Sequence, residues 1–222
     1  MGARYTLFVG NKSFSSWSLR PWLAMKMAKL PFEEVPIVLR TPESKANILA
    51  HSPSGKVPAL QIEDGGKSLV VWDSLAICET LAERHPDALA WWPKDAAARA
   101  EARSIAAEMH SGFPDVRNAL SMDILARLPT PTLDEATQTQ IARITGLWTA
   151  ALERFGKTGG FLFGPFGIAD AFYAPVVTRF RTYGIALPDE AQAYADRVLG
   201  LEPMREWETG AKAENEIGRA HV

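Results

Sequence analysis

Apolar positions follow two different rhythms along this chain, and each rhythm marks an element. Tyr5-Thr6-Leu7-Phe8-Val9 is short, rich in β-branched and aromatic residues and bounded by Gly10-Asn11, which predicts a strand. Leu19, Leu23, Met27 and Leu30 then recur at helical spacing, with Lys26 and Lys29 off the stripe and Pro21 early in the helix, where a missing N–H costs least. Phe32 to Leu39 predicts a second strand, which Pro36 assigns to an edge. Pro42 to Ala50 predicts a short helix, and Ser52-Pro53-Ser54-Gly55 a turn. Lys56 to Ile62 is a strand entered through a proline; Asp64-Gly65-Gly66 turns the chain, and Ser68 to Trp72 returns it. A helix starts at Asp73-Ser74, with Leu75, Cys78 and Leu81 on its apolar side. This order predicts one compact α/β unit over residues 1–85.

Regular spacing is lost across a linker, residues 86–98, that carries two prolines and Trp91-Trp92. From 99 to 222 the pattern is helical throughout, so the fold class is α/β followed by all-α. Ile105, Met109, Gly112, Phe113, Val116 and Leu120 trace one stripe of a long helix bent at Pro114. Ile141, Ile144, Trp148, Leu152 and Phe155 mark the next, which Gly156 to Gly160 ends. Phe172, Val176, Phe180 and Tyr183 mark a third, where Pro175 predicts a kink. Glu190 to Leu199 and Pro203 to Thr209 are shorter helices, and the last dozen residues read as weakly ordered.

Composition narrows the partners. The 222 residues carry a formal net charge of -2, which gives no broad electrostatic case for nucleic acid or an anionic membrane. No stretch reaches the roughly 18 consecutive apolar residues of a membrane span, and the N-terminus lacks the regions of a secretory signal. The single cysteine, Cys78, forms no internal disulfide, and a cytoplasmic location is expected. His51, His85 and His221 show no metal-ligand spacing, so no metal is expected.

The candidate chemistry gathers at strand-to-helix junctions. Ser13 to Trp22 holds four serines, two tryptophans and Arg20 where a strand gives way to a helix. A serine there is first of all an N-cap, but the free N–H groups and dipole of a helix start also suit an anion, including a thiolate. Asp73-Ser74 repeats the arrangement: a helix start and hydroxyl suit a carboxylate, and Asp73 suits a neighbouring ammonium, against the alternative of plain capping. Val57-Pro58 opens a strand and can be an ordinary trans proline or a cis one that leaves the preceding backbone free for a peptide-like ligand. In Gly167-Ile168-Ala169-Asp170 the carboxylate is placed to reach back to backbone donors. His110 and Cys78 fit the core or surface of their helices as well as any site.

In order and spacing these motifs resemble the cytosolic glutathione transferase family over nearly the whole chain. The matching segments are Ser15-Ser16-Trp17-Ser18-Leu19-Arg20, Gly55-Lys56-Val57-Pro58-Ala59-Leu60, Trp72-Asp73-Ser74 and Ile168-Ala169-Asp170-Ala171. The resemblance implies a thioredoxin-like N-terminal domain, an all-helical C-terminal domain and glutathione as co-substrate. It assigns Asp73 and Ser74 to the γ-glutamyl end, Val57 and Pro58 to the cysteinyl backbone, and Lys56, with Lys45 or Arg40, to the glycine carboxylate. The thiol would meet the serine turn, with Ser15 or Ser16 as the activating hydroxyl. Trp17 stands where zeta- and beta-like members carry a cysteine, which counts against mixed-disulfide chemistry. Gly167 stands where the family has serine or threonine, and restoring serine is expected to stabilise the helix by a few tenths of a kcal/mol.

The function implied is transfer of glutathione to a small, largely apolar electrophile, with Phe14, Trp17, His110, Phe113 and Arg117, and less directly Trp207, as pocket residues. Two alternatives stay open. One is glutathione-dependent isomerisation of a maleyl-type dicarboxylate, bound by Arg20, Arg117 or Arg179. The other is a non-catalytic protein that binds glutathione or hydrophobic ligands. The resemblance further implies a homodimer and a role in detoxification.

Overall fold

The structure, a computed structural model, describes residues 2–220; His221 lies outside them. The chain divides into two compact units, one running to Leu89 and including the chain from Trp207 onward, the other Ala90–Glu206.

The first unit is built on a four-stranded sheet in the order β2-β1-β3-β4, from β1 (Arg4–Gly10), β2 (Glu33–Ile37), β3 (Ala59–Asp64) and β4 (Lys67–Trp72). β1 pairs parallel to β2 and antiparallel to β3, while β3 and β4 form the hairpin turned at Gly65-Gly66, both at positive φ. Pro36 does lie on an edge strand, where its missing N–H breaks no central ladder. Helices α1 (Ser16–Met27) and α3 (Ser74–Arg84) pack together, with α1 against β1 and α3 against β3 and β4. Leu19, Leu23, Ile77, Cys78 and Leu81 are buried there with Leu7 and Leu60. The short helix α2 (Ser44–Leu49) contributes Ile48 to a second cluster with Phe8, Ile37 and Ala59. β1 is therefore buried along almost its whole length, which explains its unbroken apolar run.

The second unit is helical: α4 (Ala96–Ser111), α5 (Pro114–Ala119), α6 (Glu135–Phe155), α7 (Ile168–Thr182) and α8 (Asp189–Leu199), with a 3₁₀ turn at Gly156–Thr158. α4 and α7 pack side by side, and α8 rests on α7 and α6. Trp148 is fully buried between the rings of Tyr173, Phe180 and Tyr194. The single long helix expected across Pro114 is two helices, because Phe113 adopts the left-handed conformation (φ 59°). Val116 and Leu120 stay buried on α5 and its cap, so the apolar stripe survives the break and hides it from a periodicity reading. α7 runs through Pro175 as one helix.

At the start of α7, Asp170 Oδ2 accepts from Gly167 N at 2.9 Å, while Oδ1 accepts from Leu162 N at 3.0 Å and Tyr194 OH at 3.2 Å. The carboxylate reaches back to backbone donors as its position suggested. The expectation for Gly167 needs correction. A Cβ there would stand 2.8 Å from Ala90 O and 3.0 Å from Trp91 O, both main-chain atoms that cannot swing aside. Gly167→Ser is therefore expected to destabilise the protein by about 1–3 kcal/mol, read as a lower urea midpoint at unchanged slope.

The last helix, α9 (Glu202–Ala220), also departs from expectation. It continues well past Thr209, and from Trp207 on it belongs to the first unit rather than to the helical part assigned as 99–222. Trp207 is fully buried, edge-on to Trp22 at 4.9 Å, and its Nε1 donates to Lys12 O at 2.9 Å. These tertiary contacts hold a helix whose sequence is largely polar. They also account for α1, which is buried on more sides than the stripe of Leu19 and Leu23 suggests.

Candidate active site

The serine turn is folded by its own hydroxyls. Ser15 caps α1: Ser18 N donates to Ser15 Oγ at 3.4 Å, and Ser15 Oγ donates to Ser18 Oγ at 2.8 Å. Ser18 Oγ in turn accepts from Gly10 N, the last residue of β1, at 3.0 Å. Behind the turn, Asn11 O accepts from Phe14 N at 3.1 Å and from Ser15 N at 2.9 Å. Gly10 is required by this close approach, since a Cβ there would meet Leu39 Cδ1 at 2.6 Å and Ser15 Oγ at 3.1 Å. Arg20 is fully buried one turn along, its guanidinium 4.3 Å from the centre of the Trp17 ring.

The second junction is of similar design. Asp73 stands at φ 74°, and its Oδ1 accepts from Leu75 N at 2.8 Å and Ala76 N at 3.4 Å, capping α3. Ser74 is only 1 % exposed, and its Oγ has no hydrogen-bond partner among the described residues. A buried hydroxyl without a partner is costly in a native protein, and it is the orphan group a ligand would satisfy. Between these junctions, the Val57-Pro58 peptide is cis and lies immediately before β3.

These pieces share one cavity of about 670 Å³. Ser15, Phe14 and Trp17 line it from the first junction, Asp73 and Ser74 from the second, and Lys56, Val57 and Pro58 complete it with Leu39 and Ile48. Ser15 is 6 % exposed and lines the cavity. Ser16, also buried, is not among the lining residues, so of the two candidate hydroxyls the geometry favours Ser15. Lys45 is exposed on α2 and does not line the cavity, whereas exposed Lys56 does. Arg40 sits 5.6 Å from the centre of the Phe14 ring.

The remaining candidates do not line this cavity, and all but Trp207 belong to the helical unit. The His110 ring lies 5.9 Å from that of Phe172. Phe113 is buried, and Arg117 donates to Gly112 O at 2.9 Å and to Met109 O, closing the end of α4. Burial lowers the Arg117 pKa. Arg179 donates to Leu120 O at 2.5 Å and is lowered to about 10, first by burial and then by the charge of Arg117. Trp207 spends its N–H on Lys12 O and is buried in the first unit.

Ser18, which holds Ser15 Oγ from behind, is not among the candidate residues singled out from the sequence. Its signal was the Ser15-x-x-Ser18 spacing, which sets the two side chains one turn apart at a helix start. Cys78 is fully buried; desolvation pushes its thiol pKa strongly upward, outweighing the pull of the nearby Arg20 charge. Among the described residues no group of three His, Cys, Asp or Glu side chains could hold a metal ion, and no helix is long and apolar enough to cross a membrane.

This architecture, a thioredoxin-like sheet unit followed by a helical one, matches known proteins throughout. Residues 14–84 match the glutathione S-transferase N-terminal domain model and residues 134–209 the glutathione S-transferase C-terminal domain model. A maleylacetoacetate isomerase from Pseudomonas aeruginosa is 30% identical over 185 residues, covering 82% of this chain and 84% of that protein. The chain belongs to the glutathione S-transferase family. Among solved structures, a glutathione transferase homologue from Burkholderia gl BGR1 with bound glutathione superposes with a TM-score of 0.68 at 24% identity, covering 95% of this chain and 98% of its own. Glutathione transferase Omega 2S from Trametes versicolor gives a TM-score of 0.71 at 18% identity, over 99% and 100% of the two chains.

Proposed function

We propose that the protein binds glutathione in the Ser15–Ser74 cavity, ionises its thiol and directs the thiolate at a small, largely apolar electrophile. The observation that carries this reading is Ser74 Oγ, buried at a helix start and without a partner among the described residues. A carboxylate there would gain the hydroxyl and the end of α3, while the negative charge of Asp73 suits a neighbouring ammonium group. Glutathione carries both groups at its γ-glutamyl end, and its thiol is the nucleophile it supplies.

At the other end, hydroxyl protons can rotate to suit their partners. If Ser18 donates to Ser15, while still accepting from Gly10 N, the Ser15 proton is released toward the cavity. A chain of donors then runs Gly10 N–H, Ser18 O–H, Ser15 O–H, each polarising the next. A hydrogen bond from Ser15 and the positive end of α1 favour an anion, which lowers a thiol's pKa. Lys56 is the cation available to the glycine carboxylate.

The test is binding. Ser74→Ala is expected to weaken glutathione affinity about tenfold, the effect of losing a hydrogen bond to a charged group. Its stability should stay level, because that hydroxyl makes no hydrogen bond among the described residues. Calorimetric titration showing unchanged affinity would remove the assignment of this end of the cavity.

A second reading is favoured by one observation, the 30% identity to a maleylacetoacetate isomerase over most of its length. In that case glutathione adds to a maleyl-type dicarboxylate and leaves again. The arginines required have other work: Arg20 is buried beneath Trp17, and Arg117 and Arg179 are bonded to main-chain carbonyls. We therefore rank transfer first. Isomerisation without net consumption of glutathione would reverse the order. We further infer a cytoplasmic homodimer acting in detoxification. Exposed Leu69 and Trp72 on edge strand β4 support the dimer, and a concentration-independent monomer in sedimentation would count against it.

A further inference from the structure

Lys12 follows Asn11, whose carbonyl holds the Ser15 N–H, and both peptide groups of Lys12 are held by α9. Lys12 N donates to Glu214 Oε2 at 2.8 Å, and Lys12 O accepts from Trp207 Nε1 at 2.9 Å. Glu214 also bonds the Asn11 side chain, whose Oδ1 accepts from Leu39 N at 2.8 Å. The Lys12 side chain reinforces the grip. Its Nζ lies 2.6 Å from Glu34 and within 5.6 Å of the ring centres of Trp22 and Trp207. Glu34 accepts in turn from Trp22 Nε1 at 2.5 Å. Gly210 lets the helix come this close, since a Cβ there would meet Lys12 Cδ at 2.7 Å.

From this geometry we infer that α9 is a positioning element for the catalytic turn: Trp207 and Glu214 fix the Asn11-Lys12 backbone and so set where Ser15 Oγ stands. The inference rests on the assignment of Ser15 to the glutathione thiol. A path of hydrogen bonds connects the two places: Glu214 and Trp207 to Lys12, Asn11 O to Ser15 N, and Ser15 to Ser18. Rotation of the Asn11-Lys12 peptide would shift the carbonyl that receives Ser15 N–H, and hydroxyl placement matters steeply for a hydrogen bond to a developing charge. Neither Trp207 nor Glu214 lines the cavity, so both act through the Asn11-Lys12 segment and not by touching a ligand.

The experiment uses the full chain with Glu214→Ala, Glu214→Gln and Trp207→Phe. Thiolate absorbance of bound glutathione is followed against pH, and kcat and KM are measured separately. Glu214→Ala and Trp207→Phe are expected to raise the bound thiol's apparent pKa by about half a unit or more and to lower kcat by about 3- to 10-fold, with KM for glutathione within about twofold. Glu214→Gln keeps an acceptor oxygen and should remain near wild type. If Trp207→Phe fails to fold, Glu214→Ala decides alone, its side chain being only partly buried. Variants that lose thermal stability but keep the wild-type thiol pKa and kcat would overturn the inference and leave α9 a purely structural clasp. Failure of the underlying reading looks different: the wild-type protein itself would bind glutathione without lowering its thiol pKa.

Discussion

Ser15→Ala should lower kcat with a chloro-nitro-aromatic acceptor by about 10- to 100-fold and raise the pKa of the bound thiol, the loss expected when one aligned donor to a reacting anion is removed. Among the serines of the turn it is Ser15 that lines the cavity, and Ser18 and Gly10 hold it from behind. The same substitution deletes an N-cap, which costs about 1 kcal/mol, too little to unfold a domain of this size. The kinetic and structural consequences can therefore be separated. Ser16→Ala is the control, since Ser16 faces the protein interior at the first position of α1 and should leave the thiol unchanged. Unchanged turnover and thiol pKa in Ser15→Ala would show that another group ionises the thiol.

The second large effect falls on stability. Asp170→Ala leaves Gly167 N, Leu162 N and Tyr194 OH without their shared acceptor in a fully buried site, and is expected to cost about 3–5 kcal/mol. The carboxyl also carries a pH signature. Burial raises its pKa to about 6, against the lowering effect of its hydrogen bonds, whereas in the unfolded chain it is about 3.9. Between those values the native state keeps a proton that the unfolded chain has released. Asp170's contribution is thus fully present below about pH 4 and declines as pH rises through about 6, by roughly 3 kcal/mol at most. Asp170→Asn cannot titrate, so denaturant midpoints of wild type and Asp170→Asn should shift against the wild type over that interval. A shift in the opposite direction would mean that the carboxylate's hydrogen bonds outweigh its desolvation.

Local signals carried much of the fold because they act locally. The Gly65-Gly66 turn, the edge placement of β2 through Pro36 and the return of Asp170 to Gly167 N are all settled within a few residues. What the sequence hid depended on distant partners. Phe113 bends the chain where the apolar stripe continues, so periodicity alone cannot tell one helix from two. The polar end of the chain is helical because Trp207 and Glu214 find Lys12, nearly two hundred positions away. Glycine at 167 reads as a weak cap until Ala90 O is seen against it. The cavity divides similarly. Its serine and aspartate junctions were visible as helix starts, but that Ser15 rather than Ser16 or Lys45 lines the cavity, and that Ser74 Oγ has no partner among the described residues, are matters of direction in space.

Cys78, buried on the inner side of α3 with its thiol held protonated, has a bearing on how the protein meets its own reagents. On the proposed function, the protein works among compounds that alkylate sulfur without discrimination. Here the chain's single sulfhydryl is sealed away from them. An escaping electrophile is then left to the thiol of glutathione, which diffuses off and is replaced, and the protein's own cysteine is spared.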